Sequence, residues 1–175
     1  MREEMLSQSF LVQVRELPSR RVLKLDYFGP AGEIGDAVAR LSRFAIEQGV
    51  GPCGPTVAAY PRFVGAGSGS LGGGDPALEI EAKIFVPVRG RPESEEFPLV
   101  QLDRSRAACI NYLGPLDAGF RQAHEELFNW MDAQAVPRTG TRHQHAYLAG
   151  QEGGDEWSVE IRVPIVGGQA PLPAV

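Results

Sequence analysis

Two stretches of the sequence end in the same four-residue pattern. "VLKLDYFGP" covers residues 22–30 and "AACINYLGP" covers residues 107–115, and each runs from a mostly apolar stretch into Tyr-x-Gly-Pro. Extended upstream, residues 17–30 and 102–115 agree at Leu, Arg, Tyr, Gly and Pro. Average composition predicts chance agreement at roughly one position in windows of this length. The sequence therefore predicts two copies of one structural unit.

A helical pattern follows each Gly-Pro pair. Residues 31–49, "AGEIGDAVARLSRFAIEQG", and residues 116–134, "LDAGFRQAHEELFNWMDAQ", place apolar side chains at intervals of three and four. Gly49 is predicted to end the first helix, because glycine commonly follows the last helical turn. We expect each helix to cover a sheet with its apolar stripe.

Two further strand-like runs follow each helix. They are residues 54–60 and 77–88 in the first unit, and residues 142–148 and 157–166 in the second. A unit of about 80 residues buries only a marginal core alone, so we expect the two to join edge to edge. The predicted fold is α+β: duplicated strand-helix-strand units forming an antiparallel eight-stranded sheet with two helices and pseudo-twofold symmetry.

The predicted domain organisation follows from the repeat. The glycine-rich run 65–75 lacks the Gly-Lys-Ser/Thr ending of a phosphate-binding loop and is predicted to be a flexible connection between strands. The expected boundaries are an N-terminal tail over 1–9, a single domain over 10–166 made of repeats 10–89 and 97–166, and a disordered tail over 167–175.

Composition excludes several classes of function. The chain has 17 basic and 22 acidic residues and a net charge of −5, whereas nucleic-acid binding draws on a basic surface. We therefore expect no direct binding to DNA or RNA. No apolar run is long enough to span a membrane, and the N-terminus lacks the apolar segment of a signal peptide. Two cysteines are too few for a disulfide framework, so a cytoplasmic location is expected.

The repeats differ at one informative position of their closing strands. Aligning the strands by their shared Val-Pro ends superposes Lys83 on Glu160. One interpretation of Glu160 is a solvated carboxylate paired with Lys83 or Arg162, since antiparallel sheets commonly have one face exposed to solvent. The other is a carboxylate at the base of a pocket, where it would attract a cation or act as a general base. The pattern alone leaves both interpretations open.

The strand before Glu160 offers aromatic partners. Tyr147 shares a strand face with His143 and His145. A cation site combines a carboxylate with aromatic faces, so Glu160 with Tyr147 is the minimal constellation that we predict. For Tyr27 and Tyr112, at equivalent positions before Gly-Pro, the favoured interpretation is packing with the hydroxyl on a loop carbonyl. The candidate ligand-binding residues are Glu160, Tyr147, Tyr112, Tyr27, Trp130, Phe120, His145 and Lys83.

Metal and thiol chemistry are not predicted. His143 and His145 share a face, but a third ligand at a suggestive spacing is lacking and His124 lies on a different element. Two histidines alone make a weak metal site, so we predict neither a metal nor a cofactor. Cys109 lies within an apolar strand and is interpreted as an inert small hydrophobe.

The order of these motifs resembles the gyrase-inhibitory-protein-like effector-binding domains. The resemblance rests on the repeat, the "YLGP" turn, the Trp at the end of the second helix and the terminal "EIRVPI", and it covers residues 10–166. Such domains occur alone and as the drug-sensing half of multidrug-responsive transcription regulators. The resemblance implies a last-strand Glu that lies in a cleft among aromatics and contacts lipophilic cations. Glu160 matches that position, whereas the first repeat carries Lys83.

The resemblance implies three functions. The leading hypothesis is a stand-alone bacterial protein that binds bulky apolar small molecules, which we expect to be cationic. Such a protein would act in sensing or sequestration. The alternative is a hydrolase that detoxifies cyclopropane-containing genotoxins, with Glu160 as general base and Tyr147 as proton donor or orienting group. The third is a protein-interaction inhibitor of gyrase, so gyrase or a regulator is a possible partner. Binding is favoured over hydrolysis because Lys83 and Arg162 are expected to keep Glu160 charged.

Overall fold

The protein is described here by a computed structural model that covers residues 10–60, 77–115, 118–137, 143–150 and 156–165. The predicted tails 1–9 and 167–175 and the glycine-rich run 65–75 lie outside these ranges. The described elements are β1 (Val12–Leu17), β2 (Arg20–Pro30), a short 3-10 turn (Ala31–Glu33), α1 (Ile34–Glu47), β3 (Thr56–Tyr60), β4 (Glu79–Pro87), β5 (Leu99–Leu102), β6 (Ser105–Gly114), α2 (Ala118–Ala133), β7 (His143–Gly150) and β8 (Trp157–Pro164).

The eight described strands form one antiparallel sheet in the order β1-β6-β8-β7-β3-β4-β2-β5. The predicted α+β class, with eight antiparallel strands and two helices, is confirmed. The first repeat contributes β1 to β4 and the second contributes β5 to β8. If each strand is replaced by its counterpart in the other repeat, β1 by β5, β2 by β6 and so on, the result is the same strand order read from the opposite edge of the sheet. A near-twofold rotation between the repeats stays a prediction.

The first strand of each repeat pairs with the other repeat. β1 pairs with β6, and β5 pairs with β2, while β3 and β7 join the two repeats in the middle of the sheet. The sequence predicted a junction between the repeats but not this exchange, because an alternating pattern identifies a strand without naming its partner. Three strand pairs, rather than one, therefore hold the two repeats together.

The two faces of the sheet have different coverings. One row of paired residues runs across six strands as Ile110, Ile161, His145, Ala58, Ile84 and Leu25. α1 packs on the Leu25 end of this face and α2 on the Ile110 end, so we call it the helix face. The next row presents Asn111, Glu160, Ala146, Val57 and Phe85 to the opposite side, which we call the open face.

The Tyr-x-Gly-Pro pattern is a structural turn between a strand and a helix. The Tyr27 hydroxyl donates to the carbonyl oxygen of Pro30 at 2.6 Å, and the Tyr112 hydroxyl donates to that of Pro115. A Cβ at Gly114 would lie 2.9 Å from the Tyr112 hydroxyl oxygen. The ring therefore folds back over a position that only glycine fits. The predicted hydrogen bond from both tyrosines to loop carbonyls is confirmed.

Both helices end in the same way, with one difference. Gly49 follows α1 with φ +61°, as the sequence predicted, and Ala135 follows α2 with φ +51°. The next residue in each case, Val50 or Val136, donates its N–H back to the last helical turn. An L-residue with a Cβ is strained in this left-handed conformation.

Replacing Ala135 by Gly is therefore expected to stabilise the protein by about 0.5–1 kcal/mol. Gly49→Ala is the matched control and should destabilise it by a similar amount, since a Cβ at Gly49 would meet no atom within 4 Å and only the backbone conformation is affected. Urea unfolding of both variants measures the two changes. A loss of stability in Ala135→Gly would contradict this account of the helix end.

Candidate functional site

A cavity of about 370 Å³ lies on the open face over the centre of the sheet. Its floor includes Ala59 and Gln144, which pair with each other across β3 and β7, where the two repeats meet. The β1–β2 and β5–β6 turns form two of its walls. The remaining lining residues are Leu17, Pro18, Arg20, Tyr60, Lys83, Phe85, Leu102, Asp103, Ser105, His143 and Pro164. The expected edge-to-edge junction of the repeats thus carries a cavity on its open face.

The walls of the cavity reflect the sequence repeat. Leu17 and Leu102 are the shared leucines that open the two repeated windows, and each lies at the end of a strand beside the cavity. With Phe85 on the floor they supply an apolar lining. β1 and β5, the first strands of the two repeats, reach the cavity because each pairs with a strand of the other repeat. This exchange of first strands therefore forms the cavity walls.

The charged groups in the cavity lining are two cations and one anion, namely Arg20, Lys83 and Asp103. Burial, and then the positive charge of Arg162, lowers the pKa of the Arg20 guanidinium. Two guanidinium groups therefore lie close together on this face. The local balance is positive, although the chain as a whole is acidic.

Glu160 lies on the open face but its charge is compensated. Its side chain is 3% exposed and that of Arg162 is 6% exposed, and Arg162 Nε donates to Glu160 Oε1 at 2.6 Å. Arg15 donates to the other carboxylate oxygen from β1. The interpretation of Glu160 as a solvated carboxylate is therefore wrong, because the carboxylate is buried. Of the two partners considered for it, Glu160 pairs with Arg162, whereas Lys83 lies on β4, with β7 and β3 between it and Glu160. Arg15 was missed because its strand belongs, by sequence, to the other repeat.

Tyr147 and Glu160 lie on opposite faces of the sheet, so the predicted constellation does not form. In the β7–β8 register Tyr147 faces Val159, and Ala146 faces Glu160. Side chains of facing residues share one side of a sheet, and a shift of one residue moves a side chain to the other side. Tyr147 therefore packs beneath the helices. The pair cannot act on the same bound molecule.

The structure separates the remaining candidates from the cavity. Tyr112 and His145 are buried on the helix face, while Phe120 and Trp130 of α2 pack against the core on that side. Tyr27 packs at the edge of the α1 core on the same face. Among the eight candidate residues, all of them in the described ranges, Lys83 is the one that lines the cavity.

A cluster of aromatic and imidazole rings lies under α2. His124 Nε2 is 2.7 Å from His145 Nε2, and His124 Nδ1 donates to the carbonyl oxygen of Phe120 at 2.8 Å. The rings of Tyr60 and His143 stack with centroids 5.0 Å apart. His124 lies on a different element from His143 and His145, so the sequence alone does not predict that the three meet. The packing of α2 on β7 brings the three imidazoles together.

Burial controls the titration of this cluster. It lowers the pKa of His124 to about 4 and lowers the pKa of His145 well below its ordinary value. It also raises the pKa of Tyr147, whose hydroxyl is hydrogen-bonded to that of Tyr60. The imidazoles of His124 and His145 are therefore neutral at pH 7, and Tyr147 is a weaker acid than a free tyrosine.

Cys109 has little nucleophilic character. Burial, followed by the negative charge of Glu160, raises the pKa of its thiol to about 12. A thiol that is not ionised at neutral pH is a poor nucleophile. The predicted role as a small hydrophobe is confirmed.

No protein-family model matches the sequence, and no curated protein sequence is similar enough to count as a relative. The fold, however, is shared with solved structures. The C-terminal domain of EcmrR is similar with a TM-score of 0.71 and 14% identity over 89% of this chain and 97% of that one. The described helices include none that is both long enough and apolar enough to span a membrane.

Two further structures have the same fold. SAV2435 bound to tetraphenylphosphonium is similar with a TM-score of 0.56 and 14% identity over 90% of this chain and 94% of that one. A hydrolase encoded by lin2189 from Listeria innocua has a TM-score of 0.60 and 16% identity over 88% of this chain and 91% of that one. At these identities the likeness establishes the fold.

Proposed function

We propose that this protein binds a bulky apolar small molecule in the open-face cavity. The observation that carries the proposal is the cavity itself: about 370 Å³, at the junction of the repeats, with an apolar lining and a few polar groups. Ligand sites commonly have this size and composition. Its apolar lining includes Leu17, Leu102 and Phe85.

Two comparisons support this proposal. The sequence resembles effector-binding domains, and the structure of SAV2435 bound to tetraphenylphosphonium is of a protein with this fold. Tetraphenylphosphonium is a bulky apolar ion, so the fold can accompany the binding of such a molecule. We infer a role in sensing or sequestration of a ligand of this kind.

We propose that the cavity favours neutral or anionic ligands, which revises the expected preference for cations. That preference depended on Glu160, which is not among the cavity lining and has both carboxylate oxygens paired with arginines. Lys83 and Arg20 outnumber Asp103 in the lining. A cation would therefore meet net repulsion where an anion meets net attraction.

Binding is proposed in preference to hydrolysis. The hydrolytic scheme needed Glu160 as base and Tyr147 as proton donor or orienting group on one substrate, and these residues lie on opposite faces. A contact with gyrase, or with a regulator, stays a hypothesis from the sequence resemblance.

The size of the ligand and its charge can be tested separately. Tetraphenylborate and tetraphenylphosphonium have nearly the same shape and opposite charges, so their affinities differ mainly through electrostatics. We expect tetraphenylborate to bind about 3- to 10-fold more tightly in isothermal titration calorimetry. Tighter binding of the cation would contradict the proposed charge preference, and binding of neither ion would contradict the proposed site.

Lys83→Gln is expected to weaken tetraphenylborate about 3- to 10-fold while leaving tetraphenylphosphonium unchanged or slightly tighter, because an exposed lysine is partly screened by water. The chain has a second lysine, Lys24, which lies on the open face outside the cavity and pairs with Asp26 at 3.4 Å. Lys24→Gln is therefore the matched control and should change neither affinity. Equal effects of the two substitutions would show that only net charge matters.

A further inference from the structure

All three histidines of the chain converge in one buried cluster beneath α2. His124 comes from α2, and His143 and His145 come from alternate positions of β7. Each offers one ring nitrogen, and these three atoms lie within 4.8 Å of one another. Each residue is 1% exposed. A chain with three histidines in 175 residues thus places every one of them at a single point.

We propose that His124, His143 and His145 form a binding site for a divalent first-row transition metal ion, with Zn²⁺ as the best-suited ion. Three imidazole ligands are a familiar donor set for Zn²⁺, and they also suit Co²⁺, Ni²⁺ and Cu²⁺. Such a site leaves a fourth coordination position for water or a ligand group.

The distances are compatible with a bound ion after small adjustments. With metal–nitrogen bonds of 2.0–2.1 Å, ligand nitrogens on a tetrahedral ion lie about 3.4 Å apart. The observed separations bracket this value, from 2.7 Å between His124 and His145 to at most 4.8 Å. Side-chain movements on the order of 1 Å would place all three around one ion.

The surroundings of His124 already orient it as a metal ligand. Its Nδ1 hydrogen is directed at the carbonyl oxygen of Phe120, 2.8 Å away. This hydrogen bond places the proton on Nδ1, so the lone pair of Nε2 points into the cluster. Metal-binding histidines are typically held in this way by a carbonyl or carboxylate on the other ring nitrogen.

The fold itself does not require buried histidines at these positions. The first repeat builds the equivalent elements, α1 and β3, without any histidine. In the centre of the sheet, His145 pairs with Ala58 of that repeat. Apolar residues thus suffice in one copy, whereas the other buries three imidazoles.

The test uses untagged protein stripped with EDTA and then dialysed against Zn²⁺ or Co²⁺. We expect one equivalent of metal per chain by mass spectrometry, and for Co²⁺ the intense visible absorption of a four-coordinate ion. The absence of metal uptake, or the weak absorption of six-coordinate Co²⁺, would overturn the proposal. The Co²⁺ spectrum is measured on the wild-type protein, so it decides the question even if variants fail to fold.

His143→Phe is the variant of choice, because a phenyl ring can keep the stack on Tyr60. We expect it to weaken Zn²⁺ binding about 100-fold or more, since a lost ligand costs at least as much as a lost supporting hydrogen bond. Cys53→Ala controls for metal held by the exposed thiol and should leave the stoichiometry unchanged. Unchanged binding in folded His143→Phe would overturn the assignment.

Discussion

Replacing Glu160 by Ala is expected to destabilise the protein by about 3–5 kcal/mol, because the substitution leaves Arg162 buried without a compensating charge. Both side chains of this pair are nearly inaccessible to water, and Arg162 Nε donates to the carboxylate at 2.6 Å. Arg15 also loses its partner, but it is half exposed and can be solvated. Urea unfolding monitored by circular dichroism measures the change.

The chain provides a matched control for this effect. Arg104 pairs with Glu16, and both side chains are more than half exposed. Exposed ion pairs contribute about 0–1 kcal/mol, so Glu16→Ala should change stability by no more than that amount. A loss in Glu160→Ala no larger than in Glu16→Ala would show that the buried pair is not the structural element described above.

A double replacement separates the pair's charge from its packing. Glu160→Leu with Arg162→Met removes both charges and keeps apolar volume, and we expect it to recover most of the stability lost in Glu160→Ala, because buried ion pairs are often replaceable by apolar residues. Recovery would assign the loss to the unpaired charge. A double variant as unstable as Glu160→Ala would contradict this explanation.

Gly114→Ala is expected to destabilise the protein by about 2–4 kcal/mol. The residue has φ +147°, a conformation that costs an L-residue about 1–3 kcal/mol. The new Cβ would also lie 2.9 Å from the Tyr112 hydroxyl oxygen and displace its hydrogen bond to Pro115, at a further cost of about 1 kcal/mol. Thermal and urea unfolding would measure the loss.

Gly29→Ala is the control from the first repeat. A Cβ there would lie 3.0 Å from the Tyr27 hydroxyl oxygen, but Gly29 is not among the glycines with positive φ. Its substitution should therefore cost only the displacement of Tyr27, about 1 kcal/mol. Equal losses in the two variants would contradict the role assigned to the Gly114 backbone.

The order of elements could be predicted because it depends on local patterns. Apolar spacing and the Tyr-x-Gly-Pro turns indicated the strands and helices, and Gly49 marked the end of α1. The pairing of β1 with β6 could not be predicted in this way. Any strand with alternating side chains can pair with any other, and the choice depends on which pairing buries the most surface.

Prediction of the candidate site from sequence is limited in the same way, at the level of single residues. The sequence correctly placed Tyr147, His143 and His145 on one face of β7, but the identity of that face depends on the register with β8. Pairing of Ala146 with Glu160 turned the aromatic face toward the helices. The convergence of His124 with that face depends on how α2 rotates over the sheet, which a helical pattern predicts only approximately.

The central claim is that ligands bind on the open face, in the cavity beside Lys83, and not among the aromatic residues of the helix face. Methyl NMR spectra of alanine- and leucine-labelled protein, titrated with tetraphenylborate, test it directly because aromatic rings shift nearby methyl resonances. The account predicts shifts at Ala59 and Leu102, whereas Ala123 and Leu127, on the buried side of α2, should be unaffected. Shifts at Ala123 and Leu127 without shifts at Ala59 and Leu102 would contradict it.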